Sequence, residues 1–246
     1  MAVVETRAVV IKTRDYREND KLVWFYSEKY GKITAVVKGA KKSRSRFLSI
    51  TLPLCYGNYM FYKGRNLYTL QEGKIINSFQ TLLENFNKLI YSSYLCELID
   101  ICINDEETNQ YIFKELISAL YLLNTDAIDY ELLIRTFEIR ILKATGYNLS
   151  LDNCVKCGKK INTTDYISLE FFGGVCKDCT RINGIHVSRA AYNALKFLNK
   201  FSMNKLYRLN LSKEIKTELE KVTTYLIKNN YSRKPKSLEM LNYIKE

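Results

Sequence analysis

Two short stretches of this 246-residue chain hold residues whose types and spacing can do chemistry. The first is Cys154-Val155-Lys156-Cys157, followed after eighteen residues by Cys176-Lys177-Asp178-Cys179. Each Cys-x-x-Cys pair can close a tight knuckle that aims two thiolates at one point, and the segment between the pairs can return as a hairpin to complete a tetrahedron. Gly158 directly follows the first pair and Gly173-Gly174 precedes the second, where such knuckles need room. Four thiolates fill the coordination shell and leave no position for a reacting water, so the expected occupant is one structural zinc (Zn2+) per chain. Iron is the other metal this ligand set accommodates, and unligated or redox-active cysteines are the bland alternative. Cys55, Cys96 and Cys102 stand alone in apolar surroundings and read as small buried hydrophobes. An odd total of seven cysteines with no export signal argues against a disulfide framework.

The second stretch is Lys38-Gly39-Ala40-Lys41-Lys42-Ser43-Arg44-Ser45-Arg46, five cations in nine residues with small residues between them. A cationic loop of this kind can follow a phosphate backbone without reading bases, whereas a solvated charge run would do nothing. Charge distribution favours the first reading. Residues 1–80 hold 15 Lys+Arg against 6 Asp+Glu (+9), residues 81–150 hold 5 against 11 (−6), and residues 151–246 hold 18 against 9 (+9). The first block carries the electrostatic footprint of a polyanion binder. Arg14, Lys63 and Arg65, at predicted strand ends, extend the candidate phosphate track, while the acidic middle suits scaffolding and partner docking.

Catalytic signatures are missing from the sequence. With His186 as the sole histidine, a His-Glu-x-x-His protease motif is impossible, and the deaminase His-x-Glu fails because residue 188 is Ser. His186 itself reads as structural. Neither a Gly-x-x-x-x-Gly-Lys-Ser/Thr loop, a Gly-x-Ser-x-Gly elbow nor a Gly-x-Gly-x-x-Gly turn occurs. The chain is therefore expected not to be an enzyme.

The elements that must position these residues change character near Phe79. Before it, β-branched and aromatic runs predict strands over 3–12, 22–27, 32–38, 56–62 and 67–76, with hairpin turns at Tyr30-Gly31 and Lys63-Gly64-Arg65-Asn66. Lys32, Thr34 and Lys38 alternate with Ile33, Ala35 and Val37, as on a strand with one wet face. Five strands in about eighty residues suggest a small closed barrel, for which the oligonucleotide-binding (OB) type is one solution. Its aromatics, Tyr16, Trp24, Tyr26, Tyr59, Phe61, Tyr62 and Tyr68, are mostly expected in the core, and alternation singles out none as a stacking platform. After Phe79 the period becomes helical, with Leu82, Phe86, Leu89, Ile90 and Leu98 in one predicted helix over 81–104. Further helices are predicted over 108–123, over 129–145 closed by Gly146, from Ser188 to 201 and from Ser212 to 230. The expected fold class is thus α+β: a five-stranded OB-type barrel (1–80), a mainly helical domain (81–150 and 186–246) and a four-cysteine insertion (151–185). No run reaches the ~18–20 apolar residues that span a bilayer, and the first residues lack a signal-peptide layout. A soluble, cytoplasmic protein without membrane partners is the expectation.

With these elements placed, the chain resembles the RecO family of bacterial recombination mediators along nearly its whole length. The carrying stretches are Ala8–Asn19 with its Asp15-Tyr16-Arg17-Glu18-Asn19-Asp20 turn, Tyr30-Gly31-Lys32, Lys38-Gly39-Ala40-Lys41-Lys42, Arg46-Phe47, Phe61-Tyr62-Lys63 and Leu67-Tyr68-Thr69-Leu70. Leu142-Lys143-Ala144-Thr145-Gly146-Tyr147, Cys154-Val155-Lys156-Cys157-Gly158 and Lys236-Ser237-Leu238-Glu239 continue the series. The resemblance implies an N-terminal OB barrel, a helical remainder and a zinc site between helical segments. It also implies binding of single-stranded and possibly double-stranded DNA, loading of recombinase onto DNA coated by single-stranded-DNA-binding protein (SSB) together with RecR, annealing of complementary strands, and a place at the bacterial nucleoid. Cys154, Cys157, Cys176 and Cys179 match the four-cysteine version of the family, some members of which lack them. From the residues alone, an RNA- or ribosome-associated OB and zinc protein is the competing reading, since phosphate and stacking contacts serve both nucleic acids.

Overall fold

The structure, a computed structural model, describes residues 2–243. Period-two runs build five strands, β1 (Val3–Tyr16), β2 (Asp20–Ser27), β3 (Gly31–Val37), β4 (Tyr56–Lys63) and β5 (Tyr68–Asn77). They close into a barrel in the order β1-β2-β3-β5-β4, and all neighbours are antiparallel except β3 and β5. That parallel seam is short, Ala35 opposite Tyr68 and Val36 opposite Thr69. The long β1 serves two partners, pairing over Val3–Val9 with β4 and over Ala8–Tyr16 with β2. The irregularity between Val10 and Lys12 is the bulge that bends it from one to the other. This is an OB-type barrel. Inward-facing Ala8, Val10, Val23, Phe25, Ile33, Ala35, Phe61 and Leu70 fill it, with the Phe25 ring 4.9 Å from Tyr59 and 5.0 Å from Phe61. The buried Tyr59 hydroxyl donates to the carbonyls of Ile50 and Cys55, so an aromatic enters the core without stranding its polar end.

Three expectations about the elements need correction. The strand expected to end at Lys12 runs on to Tyr16, because Lys12–Tyr16 pairs with Asp20–Trp24 as a hairpin ladder that needs no apolar inner face. Lys32, assigned to a wet face, is buried: its ammonium donates to the Asp100 carbonyl at 2.7 Å and lies 3.3 Å from the Asp105 carboxylate. The helix expected over 81–104 breaks into α1 (Thr81–Glu84) and α2 (Phe86–Cys102). Asn85 between them is extended and caps α2, its side chain accepting the Lys88 N–H. Phe86, placed on the apolar stripe by periodicity, is 63% exposed as a result.

The chain divides into two compact units, one comprising the residues up to Leu120 and again from Pro235, the other Tyr121–Lys234. The division falls within α3 (Gln110–Thr125). In the first unit Phe113 packs near Tyr26 and Tyr56 of the barrel, and Tyr26 donates to the Asn109 carbonyl. The Glu97 carboxylate of α2 accepts the N–H groups of Lys236 and Ser237, capping α7 (Ser237–Tyr243).

The second unit is built on α4 (Tyr130–Ala144), α5 (Arg189–Lys200) and α6 (Lys213–Asn230). Asp129 caps α4 by accepting the N–H groups of Glu131 and Leu132. At its other end Tyr147 N–H reaches the Leu142 carbonyl while Gly146, at φ +94°, bonds Lys143, a Schellman closure that favours glycine. Ser188 caps α5 through the Ala191 N–H. Ser212 stands at the cap position of α6 but makes no side-chain cap bond, a correction to its expected role. Helix α4 is buried from Leu132 to Leu142, charges included. Between α4 and α5 lies a small sheet in the order β7 (Gly173–Gly174), β6 (Tyr166–Ser168), β8 (Gly184–His186). Among the described residues no helix is long and apolar enough to cross a membrane.

Candidate metal centre and nucleic-acid interface

Cys154, Cys157, Cys176 and Cys179 converge so that their four sulfurs lie within 4.8 Å of one another, with Cys157 Sγ 3.7 Å from Cys176 Sγ. A tetrahedron with metal–sulfur bonds of about 2.3 Å has edges of about 3.8 Å, so the cluster has the dimensions of a four-thiolate centre. The first knuckle is closed by Gly158 N–H on the Cys154 carbonyl (2.9 Å) and Cys154 N–H on the Lys159 carbonyl (2.8 Å). The second pair is brought in by β7: Val155 N–H donates to Gly174, Gly174 N–H to Ser150 and Val175 N–H to Tyr166. A side chain at Gly173 would collide with the Ser150 carbonyl, and one at Gly174 with the Tyr192 hydroxyl, each at 2.2 Å. These glycines are therefore demanded by close approach. Tyr192, on α5, donates its hydroxyl to the Leu151 carbonyl and ties the knuckle to the helical framework.

Within the cluster the thiols compete for protons. Burial pushes Cys154 up, but the N–H groups of Cys176, Cys157 and Lys156 outweigh it and hold this thiol down to about 6, while hydrogen bonding to Cys176 and Cys157 pushes Cys179 up to about 12. Cys154, Cys157, Cys176 and Cys179 could together hold a dication, which would favour the thiolate form of all four. The Cys176 N–H, 3.3 Å from Cys154 Sγ, already supplies one outer-sphere hydrogen bond of the kind such centres use. The solitary cysteines behave differently: Cys55, Cys96 and Cys102 are buried, and burial alone pushes Cys96 up to about 12. His186 lies in β8, exposed and edge-on to Tyr166 at 5.0 Å, apart from the sulfur cluster.

The basic loop leaves the end of β3. Gly39 N–H donates to the Asp20 carboxylate and Lys41 N–H to the Asn19 carbonyl, which fixes the loop's first turn on the β1–β2 hairpin. The Lys41 ammonium lies 2.9 Å from Asp15 and holds that carboxyl below its ordinary range. Turns closed by Lys42 on Gly39 and Ser45 on Lys42 follow, so the loop is folded. Arg46 donates to the Gln71 carbonyl at 3.0 Å and lies over the Phe47 ring. Lys38, Lys41, Lys42, Arg44 and Arg46 are all exposed. Arg14, exposed on the outer face of β1, stands over Trp24.

Lys63 and Arg65 are exposed too, but the structure does not gather them with the loop. The parallel register puts the β4–β5 hairpin toward the start of β3, whereas the loop leaves from its end. There the Tyr68 hydroxyl and the Glu106 carboxylate, the latter 3.2 Å from Nζ, raise the Lys63 pKa above the ordinary lysine value. Of the seven barrel aromatics, Tyr26, Tyr59, Phe61 and Tyr68 are buried, and Tyr16, Trp24 and Tyr62 are half-buried. Lys12 was missed by sequence reasoning. It lies on the same outer face as Arg14, 5.0 Å from the Trp24 ring, and the alternation Lys12, Arg14, Tyr16 carried that signal.

Comparison with known proteins gives the same picture over the full length. Residues 1–79 match the family model "Recombination protein O N terminal" and residues 83–239 match "Recombination protein O C terminal". A DNA repair protein RecO of Clostridium perfringens (strain 13 / Type A) is 58% identical over 246 residues, covering 100% of both chains. One from Clostridium acetobutylicum is 48% identical, also over the whole of both chains, and one from Thermoanaerobacter sp. (strain X514) is 28% identical over 98% of each. A β-barrel of OB type, a helical remainder and a four-cysteine cluster, joined to these matches over both halves, place the chain in the RecO family of DNA repair proteins.

Proposed function

We propose that the protein is a non-catalytic recombination mediator that binds single-stranded DNA, helps load recombinase onto SSB-coated strands in concert with RecR, and anneals complementary strands. The observation that carries the reading is the folded basic loop on the OB barrel, on which Lys38, Lys41, Lys42, Arg44 and Arg46 are all exposed, as is Arg14 on β1. Such a surface attracts any single strand by counterion release and does not depend on base identity. Membership of a DNA repair family favours DNA over RNA as the partner. Lys63 and Arg65 form a secondary part of the track at most, since Lys63 is engaged with Glu106 and Tyr68. Cys154, Cys157, Cys176 and Cys179 would hold one zinc ion, whose four thiolates leave no position for substrate, so the metal would support structure.

The test combines two measurements on the full chain. Matched DNA and RNA oligonucleotides compete for the protein, and annealing of complementary strands is followed with and without SSB. The expected results are preferential retention of DNA and accelerated annealing of both naked and SSB-coated strands. Preferential binding of RNA with no annealing would overturn the reading in favour of an RNA-associated protein.

A further inference from the structure

We propose that Trp24 is the platform on which the barrel stacks a base of single-stranded DNA, with Lys12 and Arg14 beside it to hold the flanking phosphates. The inference rests on the DNA-binding reading above and assigns the stacking site within it. The register sets the arrangement: Lys12 faces Trp24 and Arg14 faces Leu22 across β1 and β2, and Thr34 flanks Trp24 on β3. Alternate residues share a face, so Lys12, Arg14, Tyr16, Leu22, Trp24 and Tyr26 all point out of the barrel while Val23 and Phe25 fill it. Tyr26 is covered, with Phe113 against its ring and Asn109 on its hydroxyl, and Leu22 is only 9% exposed. Trp24 is half-buried instead.

Tryptophan on an outer sheet face can simply be packing, and the cations around it bear on that alternative. Lys12 Nζ stands 5.0 Å and the Arg14 guanidinium carbon 6.0 Å from the ring centre, so two positive charges attend one aromatic ring. Lys12 is shared with Asp100 at 3.4 Å, while Arg14 is exposed and can swing toward a phosphate. A ring flanked by cations offers a nucleotide both of the contacts that hold a single strand, a π-face for the base and charge for the phosphates. The track continues along the same strand. Arg17 stands 5.2 Å from the Tyr16 ring, and Asp15 joins this hairpin to Lys41 of the basic loop. Same-face residues on a strand are about 6.6 Å apart, so Lys12 to Tyr16 spans about 13 Å of the outer face. The charge is not uniform, since Asp15, Glu18 and Asp100 border the path, but exposed Lys12, Arg14, Arg17, Lys41 and Lys42 outnumber them.

Trp24 is the chain's single tryptophan, which makes the test direct. Its fluorescence, excited at the red edge where the nineteen tyrosines do not contribute, is titrated with oligo(dT) and with an abasic deoxyribose-phosphate strand of equal length. Oligo(dT) should quench the emission saturably, and the abasic strand should bind more weakly without that quenching. Trp24→Leu, which keeps an apolar cover on the sheet, should weaken oligo(dT) binding about tenfold while leaving the salt slope in place, because stacking releases no counterions. Trp24→Phe should recover much of the loss. Equal quenching by the abasic strand, or saturable binding of oligo(dT) with unchanged emission and undiminished affinity in Trp24→Leu, overturns the stacking role and leaves the DNA-binding reading standing. Failure of the parent protein to bind any strand at low salt removes both together.

Discussion

Two sets of arginines lie in this molecule under opposite conditions, and the contrast separates partner-facing charge from structural charge. On the barrel, Arg14 and Arg44 are exposed, and the exposed Arg46 bonds a backbone carbonyl and lies over a neighbouring ring. On α4, Arg135 is 1% exposed, 2.9 Å from the fully buried Glu138, and donates to the hydroxyls of Thr223 and Thr224 on α6. Arg140, 3% exposed, donates to the carbonyls of Asn199 and Phe201. A buried charge is tolerable only when paired and hydrogen-bonded, so the α4 arginines are committed to their own unit. The barrel cations leave most of their hydrogen-bonding capacity to solvent, which is the condition for exchanging water and counterions for a phosphate. The acidic balance of residues 81–150 has the same lesson in it. Glu138 is spent inside the helices, and Asp100 and Asp105 on Lys32.

The contrast can be broken from the structural side, where the effects are largest. Structural zinc is worth on the order of 10 kcal/mol in isolated four-ligand modules. Chelation, or Cys176→Ser, should therefore abolish metal uptake and expose residues 150–187 to rapid hydrogen exchange, with about one zinc per chain in the untreated protein. Metal-free protein retaining full protection there would contradict a structural role for the cluster. Next in size is Glu138→Ala, which removes a buried carboxylate 2.9 Å from Arg135 and should cost about 3–5 kcal/mol in urea unfolding of the helical unit, with oligonucleotide binding by the remaining folded protein unchanged. A loss below about 1 kcal/mol would mean that the buried Arg135 does not depend on Glu138.

How much of this was readable beforehand follows from the range of the forces involved. The four cysteines and the basic loop are local in sequence, and the structure brings the former together and leaves the latter exposed. Strand positions were close because the barrel core imposes period two on Val23, Phe25, Ile33 and Ala35. The errors arise where distant residues decide the outcome. Lys32 looks solvated until Asp100 and Asp105, some seventy positions away, arrive to pair with it. Phe86 sits on an apolar stripe until Asn85 interrupts the helix and resets its phase. The burial of Arg135 and Glu138 depends on Thr223 and Thr224 across the helical unit and has no local signature. Lys12 and Trp24 become neighbours only through the β1–β2 register, which the early end expected for β1 concealed.

The smallest effect on folding belongs to the surface with the largest expected effect on binding. Changing Lys41, Lys42 and Arg44 together to Ala should hardly move the melting temperature, because all three are exposed and the loop's turns are closed by backbone groups that the substitutions keep. The one ion pair lost among the described residues, Lys41 with Asp15, joins exposed groups, a class of interaction that contributes little in water. Each cation on a single-stranded phosphate contributes about 0.7 to the slope of log affinity against log salt, so removing three contacts should flatten the slope by about two units. The loss should be the same for strands of different sequence, since phosphate contacts position a strand without reading it. Because stacking adds affinity without a salt term, the triple variant and Trp24→Leu should differ in kind, one changing the slope and the other only the intercept. A triple variant that melts like the parent and binds with an unchanged slope would make the loop a solvated surface, and would shift the search for the DNA site to the basic C-terminal third of the sequence.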